Sequence, residues 1–203
     1  MPAEAAAGEP SRCPWSLGSD AYKRYHDDEW GVPCRDERKL FEFLILEGAQ
    51  AGLSWSTILA KREHYRAAFD DFDPARIATY DDARLAQLML NPGIVRNRLK
   101  IAAARTNAQA WLRFAEEIGP FSDWLWAQAG GEPIVNRYGS PSQVPARTEL
   151  SDAISKFLLK RGFKFVGSTI IYAYLQAMGV VNDHLTTCHC HPDVRGTAPA
   201  SRR

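Results

Sequence analysis

Four residues near the two ends of the chain have the types and spacing to hold a metal ion. Cys13 and His26 are separated by twelve residues in "CPWSLGSDAYKRYH", and His184 and Cys188 by three in "HLTTC". A His and a Cys four positions apart face the same way on a helix or tight turn. Together the pairs make a Cys2His2 set, and thiolates with imidazoles suit a closed tetrahedral zinc site. For one such pair alone, buried cysteines beside ordinary polar histidines would be the better reading. His189, Cys190 and His191 in "CHCHP" crowd the same spot and are competing ligands. One zinc ion here would staple the chain ends together, a structural task rather than a catalytic one.

A second group of residues suggests a cavity. Trp15, Tyr22, Tyr25 and Trp30 crowd the first thirty positions, and Trp55 follows "LEGAQAGLS". Aromatic core packing accounts for such residues in general, and for Tyr22 it is the preferred reading. The alternative is a cavity walled by flat π-faces with one polar anchor, which is how a flipped nucleobase is held. Glu47 is the natural anchor. It follows an apolar run and precedes Gly48, so it is expected at the C-terminal end of a helix, where the helix dipole disfavours a carboxylate.

Basic residues fall into two clusters: Arg96, Arg98 and Lys100, and Lys156, Lys160, Arg161 and Lys164. Runs of charge usually mark a solvated face. The second cluster surrounds "RGFKFVGST", where Gly162 and Gly167 bracket a turn between two helices. Such a turn directs backbone N–H groups from a helix N-terminus outward, ready for a phosphate.

The elements that must position these groups are helical. "DERKLFEFLILEG" repeats apolar residues at three and four spacing and is expected to stop at glycine. "LSWSTILAKREHYRAAFDDF" continues the pattern, and "DPARIATY" opens with an Asp cap and a Pro at the first helical position. Helices are also expected over "DDARLAQLML", "GIVRNRLKIAAARTNAQAWLRFAEEIG", "FSDWLWAQAGG", "TELSDAISKFLLKRG" and "GSTIIYAYLQAMG". The last has almost no charge and should be central and buried. "EPIVNRYGSPSQVPAR" is the one clear non-helical excursion. There is no alternating strand signal of useful length, so the class is all-α.

The chain has 203 residues with 45% hydrophobic and 24% charged content, ordinary values for a globular protein. Its net charge of +1 names no partner, so a nucleic-acid binder would need its cations gathered on one face. No stretch reaches the roughly 18 apolar residues of a membrane span. The N-terminus lacks the pattern of a secretory signal, so the four cysteines read as intracellular thiols or metal ligands and the location as cytoplasmic. Residues 1–11 read as a disordered leader, 12–192 as a single helical domain of two lobes sharing a cleft, and 193–203 as a disordered tail.

Taken together, "CPW", "YHDDEWGVP", "LFEFLILEGAQAGLSW", "KREHYRAAF", "GIVRNRLKI", "KRGFKFVGSTIIYAYLQAMGVVNDH" and "HLTTC" resemble the 3-methyladenine DNA glycosylase I family over residues 12 to 192. The resemblance implies a helix-hairpin-helix glycosylase fold with a structural zinc joining the N- and C-terminal segments. Its zinc ligands fall on Cys13, His26, His184 and Cys188. Glu47 and Tyr25 would be catalytic, and Trp15, Trp30 and Trp55 would bind the base. Gly52 and Leu53 would form a turn that enters the base stack. The hairpin residues Lys160, Arg161, Gly162, Lys164, Gly167 and Ser168 would grip DNA phosphates. The implied partner is double-stranded DNA containing alkylated adenine, met by a monomer. The implied reaction is hydrolytic excision of 3-methyladenine, leaving an abasic site. Two departures stand out. Asn182, with Asp183 next to it, occupies the place where many helix-hairpin-helix glycosylases carry an Asp, and Leu99 stands where some relatives have Gly. The rival readings are a non-catalytic zinc-stapled DNA-binding module and a zinc hydrolase, the latter disfavoured because four protein ligands leave no open metal position.

Overall fold

The computed structural model describes residues 9–195. Among the described residues ten α-helices carry the fold: α1 (Asp20–Asp28), α2 (Glu37–Gln50), α3 (Trp55–Ala68), α4 (Pro74–Ala78), α5 (Asp82–Leu90), α6 (Arg98–Glu117), α7 (Phe121–Gln128), α8 (Glu149–Lys160), α9 (Ser168–Ala177) and α10 (Pro192–Arg195). Two short strands, β1 (Ile134–Val135) and β2 (Val181–Asn182), pair in parallel. The architecture is therefore mostly helical, as the periodicity predicts.

The helix starts follow from local chemistry. Asp36, Ser54, Asp73, Asp81, Asn97 and Thr148 each accept a hydrogen bond from a backbone N–H in the first turn of the helix they precede. Such caps satisfy donors that have no partner within the helix. α9 is different: it begins at Gly167 with no side-chain cap.

α2 lies at the centre, with every residue from Leu40 to Ala49 buried, and packs on α3, α6, α7 and α9. α9 contributes Ile171, Tyr174 and Leu175 to the same core, and the Tyr174 hydroxyl donates to the Leu40 carbonyl at 3.1 Å. Each large side chain so buried contributes about 1.5–3 kcal/mol of hydrophobic stabilisation. A smaller apolar cluster forms around Cys13, Leu185, Cys188 and Cys190.

Several elements differ from expectation. α1 was not expected. The strand pair contains two residues per strand, too short to show alternation. α6 begins at Arg98, because Asn97 caps it and residues 92–97 form a loop. α2 does not stop at Gly48 but runs on to Gln50. Pro192–Arg195 form a last helical turn, so the described chain continues past the expected domain boundary. The rest of the expected leader and tail, 1–8 and 196–203, lies outside the described residues.

Candidate active site and metal centre

A cavity of about 370 Å³ opens where α1, the end of α2, the start of α3 and α9 meet. This is within the size range of small-molecule pockets. Its wall includes Trp15, Tyr22, Tyr25, Trp30, Glu47 and Trp55. Trp15 comes from a single 3-10 turn, Pro14–Gly18, and stands 36% exposed at the mouth. Its ring lies 5.1 Å from that of Tyr22 and 5.0 Å from that of Trp30. Tyr22 thus lines the cavity rather than merely packing in the core. Tyr25 and Trp55 are buried, with ring centres 5.3 Å apart, and Phe43 of α2 lies beneath both.

Ion pairs behind the cavity tie its supporting helices together. Arg62 of α3 donates through Nη1 to both carboxylate oxygens of Glu29, just beyond α1, and through Nε to Glu42 of α2 at 2.7 Å. Its guanidinium also sits 4.7 Å from the centre of the Phe43 ring. One side chain therefore ties together the three helices that carry Tyr25, Glu47 and Trp55.

Glu47 is 4% exposed, and no hydrogen bond or ion pair reaches its carboxylate among the described residues. Burial alone pushes its carboxyl up to about 8. The cause differs from the one expected at a helix end: Glu47 lies inside α2, and desolvation is the dominant cost. Burial, and secondarily the Glu47 carboxylate, push the Tyr25 phenol well above its ordinary range, so it keeps its proton. The indole N–H of Trp55 is buried without a partner, an uncommon state for a buried donor.

The cavity also contains Asp183, noted above only as the neighbour of Asn182, and two polar residues not singled out from the sequence, Gln50 and Gln176. Asp183 accepts from Asn136 Nδ2 at 2.7 Å, Tyr172 Oη at 2.5 Å and Gln176 Nε2 at 2.7 Å. Gln50 lies three positions after Glu47 on one helix, a spacing that shares a face. That was the available signal. Gln176 had none, because its placement depends on α9 meeting the cavity, and the resemblance marked Asp183 only as the neighbour of Asn182.

Cys13, His26, His184 and Cys188 come together beside this wall, all buried, with their ligand atoms within 4.8 Å of one another. Cys13 Sγ lies 3.8 Å from His184 Nδ1, and Cys188 Sγ lies 3.5 Å from His26 Nε2 and 3.6 Å from His184 Nδ1. Tetrahedral bonds of zinc length place ligand atoms about 3.3–3.8 Å apart, so the set fits the ion. The outer nitrogens are held as metal-bound imidazoles require. His26 Nδ1 meets Asp27 Oδ1 at 2.8 Å, and His184 Nε2 meets the Trp30 carbonyl at 3.0 Å. Asp27 is in turn gripped by Arg12. The Cys188 thiol is pushed well down, first by hydrogen bonding with Cys13 and next with Cys190. Cys190 Sγ also lies close to the His189 ring, at 3.4 Å, while His191 turns to the Asn136 carbonyl at 3.1 Å. The His26 and His184 rings stand against Trp15 and Trp30. The metal-type cluster and the aromatic wall are thus one packed unit.

The residues expected to meet DNA lie on two turns. Gly52 has φ +77 with open space around it, and Leu53 beside it is 43% exposed. Lys160 and Lys164 are exposed around the turn that joins α8 to α9, in which Gly162 has φ +88. Arg161 lies over the Phe157 ring at 3.5 Å from its centre. The Ser168 hydroxyl bonds to Ser151 and Asp152. Gly48, expected to stop the helix, is instead within α2, where a Cβ would come 3.1 Å from Phe165 Cβ. Its missing side chain lets the α8–α9 turn pack on α2.

A sequence profile of the methyladenine glycosylase family matches residues 15–191. The chain is 48% identical to DNA-3-methyladenine glycosylase 1 of Escherichia coli (strain K12) over 181 residues, 89% of this chain and 97% of that protein. It superposes on a crystal structure of 3-methyladenine DNA glycosylase I with a TM-score of 0.88 at 50% identity, covering 90% of this chain and all of the other. A further crystal structure, of a variant 3-methyladenine DNA glycosylase I in complex with 3-methyladenine, gives 0.86 at 36% identity over 89% of this chain and 97% of its own.

Proposed function

Because this chain belongs to the methyladenine glycosylase family, we propose that it is a DNA-3-methyladenine glycosylase, which flips alkylated adenine out of duplex DNA and hydrolyses its glycosidic bond. The observation that carries this reading is Glu47, a buried carboxylate with no partner inside an aromatic cavity of nucleobase size. Such a group is costly until a cation arrives.

3-Methyladenine in DNA is cationic. Between aromatic faces and beside a carboxylate it gains cation–π and charge–charge attraction together. Unmodified adenine gains neither, so the cavity selects by charge. Glu47 accepts hydrogen bonds from the base, Tyr25 supplies a hydroxyl that stays protonated, and Trp15, Trp30 and Trp55 stack on or enclose the ring. The alkylated base leaves as a neutral molecule, so little general-acid assistance is needed. As the bond breaks, positive charge moves to the sugar, and water completes the hydrolysis.

α8, the turn at 161–167 and α9 serve as a helix-hairpin-helix that holds phosphate through its uncapped N-terminal N–H groups, with Lys160 and Lys164 as point charges. Leu53, on its exposed turn, fills the gap left by the base. α9 has no lysine from Ser168 to Ala177, so no amine is placed there to form an imine with the sugar, and the product is an intact abasic site. Cys13, His26, His184 and Cys188 hold one zinc ion that fixes the chain ends and the Trp15–Trp30 wall; its contribution is structural. The chain acts as a monomer, within the cell where DNA is found, with residues 12–192 as its catalytic domain.

The direct test is incubation with methylated duplex DNA and chromatography of the released bases. Release of 3-methyladenine is expected, and none from a Glu47-inactivated control. Enzyme that binds the DNA but frees no base would refute the assignment.

A further inference from the structure

α6 touches neither the cavity nor the metal cluster, yet one of its faces holds both turns assigned to DNA. Lys100 Nζ donates to the carbonyls of Ala49 at 2.8 Å and Ala51 at 2.5 Å, at the end of α2 and the start of the turn that carries Gly52 and Leu53. Seven residues on, Asn107 grips the hairpin by both sides of one residue. Its Nδ2 donates to the Lys164 carbonyl at 3.0 Å, and the Lys164 N–H donates to its Oδ1 at 2.7 Å.

Lys100, Ala103, Ala104 and Asn107 follow the three-and-four spacing of a single helix face. The two anchor points are about 10 Å apart along the axis. The small alanines between them, with Gly48 and Phe165 opposite, leave only about 10 Å³ of free space, so the seam is closed. Asn107 is 3% exposed in the middle of a long helix, where a buried amide is costly unless satisfied. Its two bonds to Lys164 satisfy it. Lys100 loses solvation at its seat, which pushes its ammonium below the ordinary lysine range. Its two acceptors are carbonyls at a helix C-terminus, where a cation is favoured.

We infer that Lys100 and Asn107 are positioning residues for base displacement, and that α6 is a splint fixing the Leu53 turn at a set distance and angle from the phosphate-holding hairpin. With both turns bolted to one rigid helix, a grip on the phosphates delivers Leu53 to the stack without a separate docking step. The inference rests on the proposed action on duplex DNA. A shift of about 1 Å in a positioning element costs on the order of 100-fold in rate, and loss of Lys100 removes the side-chain bonds that tie the Leu53 turn to α6.

The test compares Lys100→Met with wild type on a duplex carrying 3-methyladenine opposite thymine, and on one in which the lesion faces an abasic site and is already loosened. Lys100→Met is expected to bind undamaged duplex like wild type and to bind free 3-methyladenine normally. Its excision opposite thymine should fall on the order of 10- to 100-fold, with much less loss opposite the abasic site. Lys100→Arg, which keeps the charge and the donors, should recover part of the difference. Asn107→Leu should instead weaken duplex affinity about tenfold whatever the base, in line with the loss of two hydrogen bonds. If Lys100→Met unfolds, shown by lost binding of the free base, Lys100→Arg and Asn107→Leu carry the comparison. Equal loss on both duplexes, or none on either, would overturn the inference. An independent arm uses an undamaged duplex with 2-aminopurine as the base to be displaced. Wild type should raise its fluorescence on binding and Lys100→Met should bind without the rise; an equal rise overturns the splint. This arm needs no catalysis, so wild type that releases no 3-methyladenine sinks the glycosylase reading while the splint is still tested.

Discussion

Glu47→Gln should make the protein more stable at neutral and alkaline pH while impairing it. The Glu47 carboxyl titrates near 8 in the folded chain, against 4.5 for an ordinary glutamate. The native state therefore holds a proton that the unfolded chain gives up as pH rises above 4.5, and stability falls through the window from about 4.5 to 8. At about 1.4 kcal/mol per pH unit, that interval sets a cost of about 5 kcal/mol above pH 8 and about 3 kcal/mol at pH 7. Glutamine keeps the size and does not titrate, so the variant is free of this slope. Urea unfolding of both proteins at pH 5, 7 and 8.5 should show wild type losing about 4 kcal/mol relative to the variant between the two extremes. The same substitution removes the charged acceptor of a cationic base, worth about 1.5–3 kcal/mol, so affinity for the cationic alkylated nucleoside at pH 8.5 should fall roughly 10- to 100-fold. Parallel stability–pH curves for the two proteins would show that Glu47 titrates normally and would refute the argument from desolvation. Unchanged base affinity would show that Glu47 is not the anchor.

Binding of a cationic alkylated nucleoside should ionise Glu47 and release close to one proton at pH 7, read by calorimetry in buffers of different ionisation enthalpy; no buffer dependence would contradict it. Freshly purified protein should hold about one zinc per chain, and Cys188→Ser should lose the metal, melt at a lower temperature and bind the base less well because Trp15 and Trp30 lean on His26 and His184; metal analysis finding no zinc would rule this out. Borohydride added during turnover should trap no covalent protein–DNA adduct above an abasic-site control, and a trapped adduct would point to Lys164. Arg62→Met should destabilise by about 1–3 kcal/mol, since Glu42 loses its bond to Arg62 at 2.7 Å but keeps Arg66 at 3.0 Å; a loss below about 0.5 kcal/mol in chemical denaturation would show that the α1–α2–α3 tie is unimportant.

How much of this was legible in the sequence depended on whether chemistry or packing chose the residue. Cys13, His26, His184 and Cys188 could be assembled by type, because few side chains can serve as soft ligands and two pairs in one chain seldom coincide. Glu47 could be found because an acid at the end of an apolar run needs a reason. The long helices α2, α3, α6, α8 and α9 show the three-and-four spacing, since each buries one face or more. α1 does not show it: its inward side carries Tyr22, Tyr25 and His26 for the cavity and the metal-type cluster, and apart from Ala21 its other positions are charged, so no aliphatic stripe marks it. Tyr22 serves both readings, packing against the core and lining the cavity, because wall and core use the same ring. Gly48 looked like a helix stop because glycine weakens helices locally, whereas tertiary contact with Phe165 decides its position.

Asn107 was illegible for the opposite reason. Its role requires knowing that residue 164, 57 positions away, passes beside α6. The groups that bind a ligand are constrained by the chemistry of that ligand, which a sequence reader can bring to the chain from outside. The groups that aim them are constrained only by neighbours that the fold supplies. In this protein the two kinds are separated in space as well: Glu47 and its aromatic wall lie on α1, α2, α3 and the segments flanking α1, while Lys100 and Asn107, proposed to set where the two turns stand, lie on α6. A substitution on α6 can therefore leave every residue of the cavity in place and still separate holding the DNA from opening it, which is why the comparison of loosened and paired lesions discriminates better than any assay of the base alone.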